Sequence, residues 1–377
     1  MRPVPFRLTP AAPSWGDSRA ERGESLALSA GVPRESAREG QIDWKQRLPR
    51  LRRTAIWAAM AGVGIYALAG VVLDGGRLTG QSLPPLRHPL WLALVLLMAP
   101  LNYALRFAKW QMYGRRLGLH QVPWRGSLTI FLAGFGLTIT PGKVGELVKS
   151  WFLWDRYGVP AARTAPMVFA DRLTDGCAML VLATAGAAWL GRGPAPYALM
   201  AAAAVIVVLV QSRRAAMLAV RIVGRVGRLA PLRDKVVVLL DSARTLLLPL
   251  PFLAALGLGI VGWGLEGLIV YFVLTAFHWP FSLAASVLVV ATAAIAGTVS
   301  ALPGGIGAAE GVMIALLMWL RVPLPLAVLA TLVMRFATLW LGLGIGLVAL
   351  GSAQAGADRA RACATGPRGG PDPQLRS

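Results

Sequence analysis

Two short segments combine a proline, closely spaced glycines and charged side chains: Pro141-Gly142-Lys143-Val144-Gly145-Glu146 and Pro303-Gly304-Gly305-Ile306-Gly307-Ala308-Ala309-Glu310. The chemistry these residue types support is anion binding. Glycine loops let successive backbone N–H groups point into one cavity, and helix amino termini add positive potential, which suits a phosphate or carboxylate. Lys143 places a full positive charge within the first loop, and Lys149 follows within two helical turns. Arg172 and Arg335 can grip a phosphate bidentately, with Arg106 reaching in from the end of its own segment. Glu146, Glu310, Glu266, Asp171 and Asp175 are the acids available as counter-ions or proton carriers. The candidate binding set is therefore Pro141, Gly142, Lys143, Gly145, Glu146, Lys149, Arg172, Asp175, Pro303, Gly304, Gly305, Gly307, Glu310 and Arg335.

Plainer roles exist for the same residues. Glu146 and Glu310 stand where a helix dipole favours an acid. Arg172 can pair with Asp175 three residues on or with the neighbours of Asp171 in space, Arg335 and Glu266 can pair with each other or with unwound carbonyls, and Lys143 can contact headgroups. The glycines can serve close helix packing.

The elements that carry these residues follow from composition. Of 377 residues, 56% are hydrophobic and only 15% charged, against about 25% charged in a soluble domain. The chain is therefore expected to be an all-α polytopic membrane protein, with no stretch left between Thr54 and Leu350 for a large soluble catalytic domain. The net charge of +21 sits mainly in loops between apolar segments, so it reads as a topology signal and a set of lipid contacts, with no nucleic-acid partner. Cys177 and Cys363 propose no disulfide framework.

Residues 1–50 and 353–377 are rich in Pro, Gly and isolated charges and read as disordered tails around a transmembrane domain at 51–352. The first span, about 54–73, follows a basic cluster and places the amino terminus in the cytoplasm. A second span, about 89–105, returns to a basic cytoplasmic loop carrying Arg106, Lys109, Arg115 and Arg116. Spans at about 165–190, 197–211, 252–277 and 324–350 complete six full crossings, with both termini cytoplasmic. The basic stretch 213–235 is either an amphipathic surface helix or a solvated connector.

The two broken segments do not fit as ordinary spans, because the apolar run before the first break is too short to cross a core of about 30 Å. They read as re-entrant hairpins, tolerated at membrane depth where they line a cavity; full crossing of both is the alternative. They also repeat. Each carries Pro-Gly-x-x-Gly, a glutamate soon after, and an arginine in the next span, Arg172 or Arg335, 31 and 32 residues beyond the proline. Gly134 and Gly297 precede the prolines by seven and six residues. Repeat one covers about 89–190 and repeat two about 252–350, with inverted topology, the arrangement that marks transporter substrate sites.

Thr140-Pro141-Gly142-Lys143-Val144-Gly145-Glu146 with Lys149-Ser150, then Asp171-Arg172 with Asp175, then Pro303 to Glu310, resemble the lysylphosphatidylglycerol synthase transmembrane, or flippase-like, family. The resemblance implies a multi-pass inner-membrane protein that moves a lipid, charged or polyprenyl-linked or hopanoid-type, between leaflets. It points to Lys143, Glu146, Lys149, Arg172, Asp175 and Glu310 as the site. In aminoacyl-phosphatidylglycerol synthases a large soluble catalytic domain follows the membrane part; here a short polar tail follows Leu350, and aminoacyl transfer by this chain is not expected.

No catalytic residue, metal or cofactor is expected. His88, His120 and His278 offer no pair at metal-ligand spacing, and no Walker loop appears. The expected function is lipid transport without ATP hydrolysis by this chain, and the expected partners are membrane lipids with anionic headgroups. The alternatives are an intramembrane lipid-modifying enzyme, a pore or scaffold, or a non-catalytic partner of lipid-biosynthesis enzymes.

Overall fold

The structure, a computed structural model, describes residues 89–138, 147–191, 243–300 and 302–352, with the single positions Arg53, Ile56, Tyr197, Ala201 and Ser212. The rest of the expected first span at 54–73 and of the span at 197–211, the basic stretch 213–235 and both tails lie outside the described residues. So does the first break, with Pro141, Gly142, Lys143, Gly145 and Glu146.

Among the described residues every regular element is helical. In chain order they are α1 (Pro89–Arg116), α2 (Trp124–Phe135), α3 (Leu147–Tyr157), α4 (Ala161–Trp189), α5 (Pro249–Ala276), α6 (Leu283–Val299), α7 (Ala308–Trp319) and α8 (Leu324–Arg335). A 3-10 turn at Pro303–Gly305 joins α6 to α7, and α8 runs on through a π-helical turn at Phe336–Trp340 to Ser352. Prolines punctuate the starts: Pro123, Pro160 and Pro323 stand just before α2, α4 and α8, and Pro249 opens α5. A proline fits there because the first-turn N–H groups have no intrahelical partner to lose. Ser282 caps α6 by accepting the Ala285 N–H at 3.1 Å.

α5 and the continuous helix Leu324–Ser352 are long and apolar enough to cross a membrane. α1 and α4 are as long, at 28 and 29 residues, which is about 42 Å at the helical rise. They differ in carrying charges along their middles, and this corrects the expected end of the second span. Where the positive charges of Arg106 and Lys109 predict a cytoplasmic loop after Leu105, the helix continues to Arg116, and Lys109 is only 1% exposed. The physical reason is a pair of acids on α4 that neutralise these cations in space, so no water is needed to solvate them.

α5 packs along α1, α4 and α6. One core joins Val95 and Ala99 of α1 to Ile269, Val270 and Val273 of α5, Val289 and Ala293 of α6, Met313 and Leu317 of α7, and Ala327 and Ala330 of α8. A second, between α4 and α6, is made of Met179, Ala183, Ala187, Leu288 and Ala291. The abundance of alanine at these seams lets backbones approach closely, which is how helices gain packing energy when the surrounding solvent is itself apolar. α2 packs against α3, and α6 against α7 on either side of the second break.

Candidate functional site

A cavity of about 170 Å³ lies where these helices converge. Asn102, Tyr103 and Arg106 of α1 line it together with Gly134 and Phe135 of α2, Lys149 of α3, Arg172 of α4 and Trp263 and Glu266 of α5. The far wall comes from Gly297 of α6, Gly304 and Gly305 of the break, and Arg335 and Thr338 of α8. Among the lining side chains four are cationic and one is a carboxylate.

The α1 cations are set by a polar stripe. Asn102, Arg106, Lys109 and Tyr113 recur at helical spacing and so share one face of α1. That face meets α4, where Asp171 and Asp175 are one turn apart. Lys109 Nζ donates to Asp175 Oδ1 at 2.5 Å and reaches Asp171 Oδ1 at 2.7 Å. Arg106 Nη1 donates to the other oxygen of Asp175, Oδ2, at 3.1 Å. Its guanidinium also stands 4.9 Å from the centroid of the Trp263 ring, a cation–π contact that favours a partly desolvated arginine. Arg172 lies 3.8 Å from Asp171. The local Arg172–Asp175 pairing that their spacing allowed is replaced: Asp175 turns to α1.

The second break is built by backbone conformations that only glycine adopts readily. Gly304, Gly305 and Gly307 have φ of +62°, +68° and +88°, a region where a Cβ collides with its own backbone. The break folds so that Gly305 sits against the Gly297 backbone of α6. α7 then starts with Glu310 in its first turn, where Glu310 Oε2 accepts the Gly307 N–H at 2.8 Å. Its other oxygen, Oε1, accepts Arg335 Nε at 2.7 Å, and Arg335 Nη2 donates to the Gly304 carbonyl at 2.9 Å. Arg335 is therefore paired with Glu310. Glu266 instead accepts Asn102 Nδ2 at 2.7 Å.

Lys149 enters the cavity through an aromatic collar. Its ammonium lies 4.9 Å from the Phe131 ring centroid, 5.6 Å from Trp110 and 5.7 Å from Phe135. Its stem fills the space that a side chain at Gly134 would take. Two further buried polar atoms at the cavity, Asn102 Oδ1 and Trp263 Nε1, have no hydrogen-bond partner among the described residues; one is an acceptor and the other a donor.

Of the residues singled out in the sequence, the cavity gathers Arg106, Lys149, Arg172, Glu266, Gly304, Gly305 and Arg335, with Gly134 and Gly297, which precede Pro141 and Pro303 by seven and six residues. Asp175 and Glu310 stand behind the lining as partners of Arg106 and Arg335, Gly307 caps α7, and Pro303 opens the turn. Asn102, Tyr103, Lys109 and Trp263 escaped the sequence reading. The signal for two of them, Asn102 and Lys109, was the i, i+4, i+7 run of Asn102, Arg106 and Lys109, which continues one helical face past the point where the charges suggested a loop. Among the described residues no group of three or more His, Cys, Asp and Glu is arranged to hold a metal ion.

No curated protein matches the chain. The family model described as lysylphosphatidylglycerol synthase TM region matches residues 46–346. That match takes in α1 to α7 and all but the end of α8, so the cavity and both breaks fall within it. This is a helical membrane protein related to lipid metabolism, and the chain belongs to the lysylphosphatidylglycerol synthase transmembrane-region family.

Proposed function

We propose that the protein is a lipid transporter of the cell inner membrane that binds an anionic lipid headgroup in this cavity and passes it between leaflets without hydrolysing ATP. The observation that carries the reading is the cavity lining: Arg106, Lys149, Arg172 and Arg335 against the single carboxylate of Glu266. Charges at such depth are costly, and substrate pathways are among the few uses that repay them. α2, with 12 residues, reaches about 18 Å, short of a core of about 30 Å. In this reading α2–α3 and α6–α7 are re-entrant hairpins of an inverted repeat, and both termini are cytoplasmic. The protein's own residues bind and release; none is assigned a catalytic role.

The test is leaflet exchange in proteoliposomes. The full chain should accelerate the exchange of labelled phosphatidylglycerol well beyond that of labelled phosphatidylcholine. Arg335→Ala should lower that rate more than tenfold, because a charged hydrogen-bonding group at the headgroup is worth about 1.5–3 kcal/mol. Equal rates for the two lipids, or full activity of Arg335→Ala, would refute the assignment. Conversion of the lipid to a new species in detergent, where no leaflets exist, would favour the enzyme reading.

A further inference from the structure

The two arginines that face the cavity from opposite walls are held by the same device. Asp175 gives Oδ2 to Arg106 and Oδ1 to Lys109, and Glu310 gives Oε1 to Arg335 and Oε2 to the N–H of Gly307. Each carboxylate thus spends one oxygen on a cavity arginine and the other on a partner set back from it. Lys109 and Gly307 do not line the cavity, and Lys109 is 1% exposed. The two arms are not copies in sequence: the acid follows the arginine in one and precedes it in the other.

The arrangement matters because a buried carboxylate stripped of its only partner is strongly unfavourable. An arginine whose acid has no other partner is therefore unavailable to a ligand. Here each acid keeps a charge-assisted or dipole-supported bond when its arginine leaves. Asp175 retains the Lys109 ammonium, and Glu310 retains the Gly307 N–H and the positive end of α7.

We propose that Asp175 and Glu310 are resident counter-ions, which hold Arg106 and Arg335 until a headgroup phosphate displaces them and which take the arginines back to expel it. Lys109 is then a positioning residue: it touches no headgroup, and it determines how firmly Asp175 keeps Arg106. This rests on the cavity being an anion site and adds how that site fills and empties. It also gives Asp175 and Glu310 the part of competitors of the lipid instead of ligands to it.

The proposal reverses the usual sign of a mutation in a binding site. Phosphatidylglycerol affinity is measured on the purified full chain in phosphatidylcholine nanodiscs, and exchange is measured in proteoliposomes. Asp175→Asn should bind phosphatidylglycerol about tenfold more tightly and exchange it more slowly at saturation, so that KM and the maximal rate fall together. Lys109→Met, which leaves Asp175 to Arg106 alone, should bind about tenfold more weakly. The double variant Lys109→Met, Asp175→Asn keeps the wild-type net charge and should return to wild-type affinity or better. A merely structural role for Asp175 predicts weaker binding in Asp175→Asn, and that result, or unchanged affinity, overturns the proposal. If Asp175→Asn is not monodisperse, the double variant carries the same test, and affinity below wild type overturns it. A wild-type protein with no preference for phosphatidylglycerol would instead defeat the anion site itself.

Discussion

The Tyr103 hydroxyl of α1 donates to the carbonyl oxygen of Thr338 in α8 at 2.7 Å, inside the π-helical turn at Phe336–Trp340. A π turn interrupts the regular i to i+4 ladder and leaves carbonyls in need of another donor. Tyr103 supplies it from across the bundle, immediately beside Arg335. The turn is thus a tertiary feature, held by a residue more than 200 positions earlier in the chain.

Tyr103→Phe keeps the ring and removes this donor. It should destabilise the protein by about 1–3 kcal/mol, the cost of leaving a buried carbonyl unsatisfied. Unfolding of the purified protein in detergent measures it, and unchanged stability would show that the turn finds its own partners.

Beyond the turn, α8 meets α2 through a glycine seam. A Cβ on Gly346 would fall 2.6 Å from the Phe135 carbonyl carbon and 2.8 Å from Gly136 Cα. Both are backbone atoms that cannot swing aside, so Gly346→Ala should cost about 1–3 kcal/mol through forced helix displacement. Gly344→Ala, whose new methyl meets nothing within 4 Å, should stay within about 0.5 kcal/mol of wild type. Equal thermal stability of the two variants would argue against the seam.

Gly134 affects Lys149 by shape alone. A side chain at this position would overlap the Lys149 stem, whose Cγ and Cδ stand 2.9 and 3.0 Å from the would-be Cβ. Gly134→Ala should therefore push the ammonium out of its aromatic collar and weaken phosphatidylglycerol binding about tenfold, as Lys149→Met should. The two changes together should cost no more than either alone, because they disable the same group. Additive losses in a lipid-binding titration would count against this account.

Lys109→Met should lower stability by about 3–5 kcal/mol, because two carboxylates on α4 lose a shared ammonium in a buried setting. Lys109→Met, Asp175→Asn should recover part of that loss, because one of the two carboxylates that shared the ammonium is neutral. Comparing their unfolding transitions under one detergent condition checks the sign and the recovery.

Much of the architecture can be read without coordinates. Long apolar runs allow little but membrane helices, since backbone groups in hydrocarbon must bond within their own segment. Pro303 with Gly304, Gly305 and Gly307 could only be a break, because positive φ is cheap for glycine alone. Gly134 and Gly297, and Arg172 and Arg335, match by spacing along the sequence, and all four line the cavity.

What the sequence could not supply is which charges meet. Arg106 and Lys109 look like loop residues because the positive-inside rule weighs cations along the chain, and no acid stands near them in that order. Their partners Asp171 and Asp175 lie more than 60 residues away and reach them only when α4 packs on α1. In the same way the sequence offers Arg335 Glu266 or unwound carbonyls as partners, and only the fold of the second break gives it Glu310 with the Gly304 carbonyl and leaves Glu266 to Asn102. Hydrophobicity is a property each residue carries with it, so the sequence alone determined a helical chain built for a bilayer and broken at Pro303. The cost of a buried charge depends on what stands within a few ångströms, so tertiary structure alone decided which of its ions line the cavity and which stand behind to hold them.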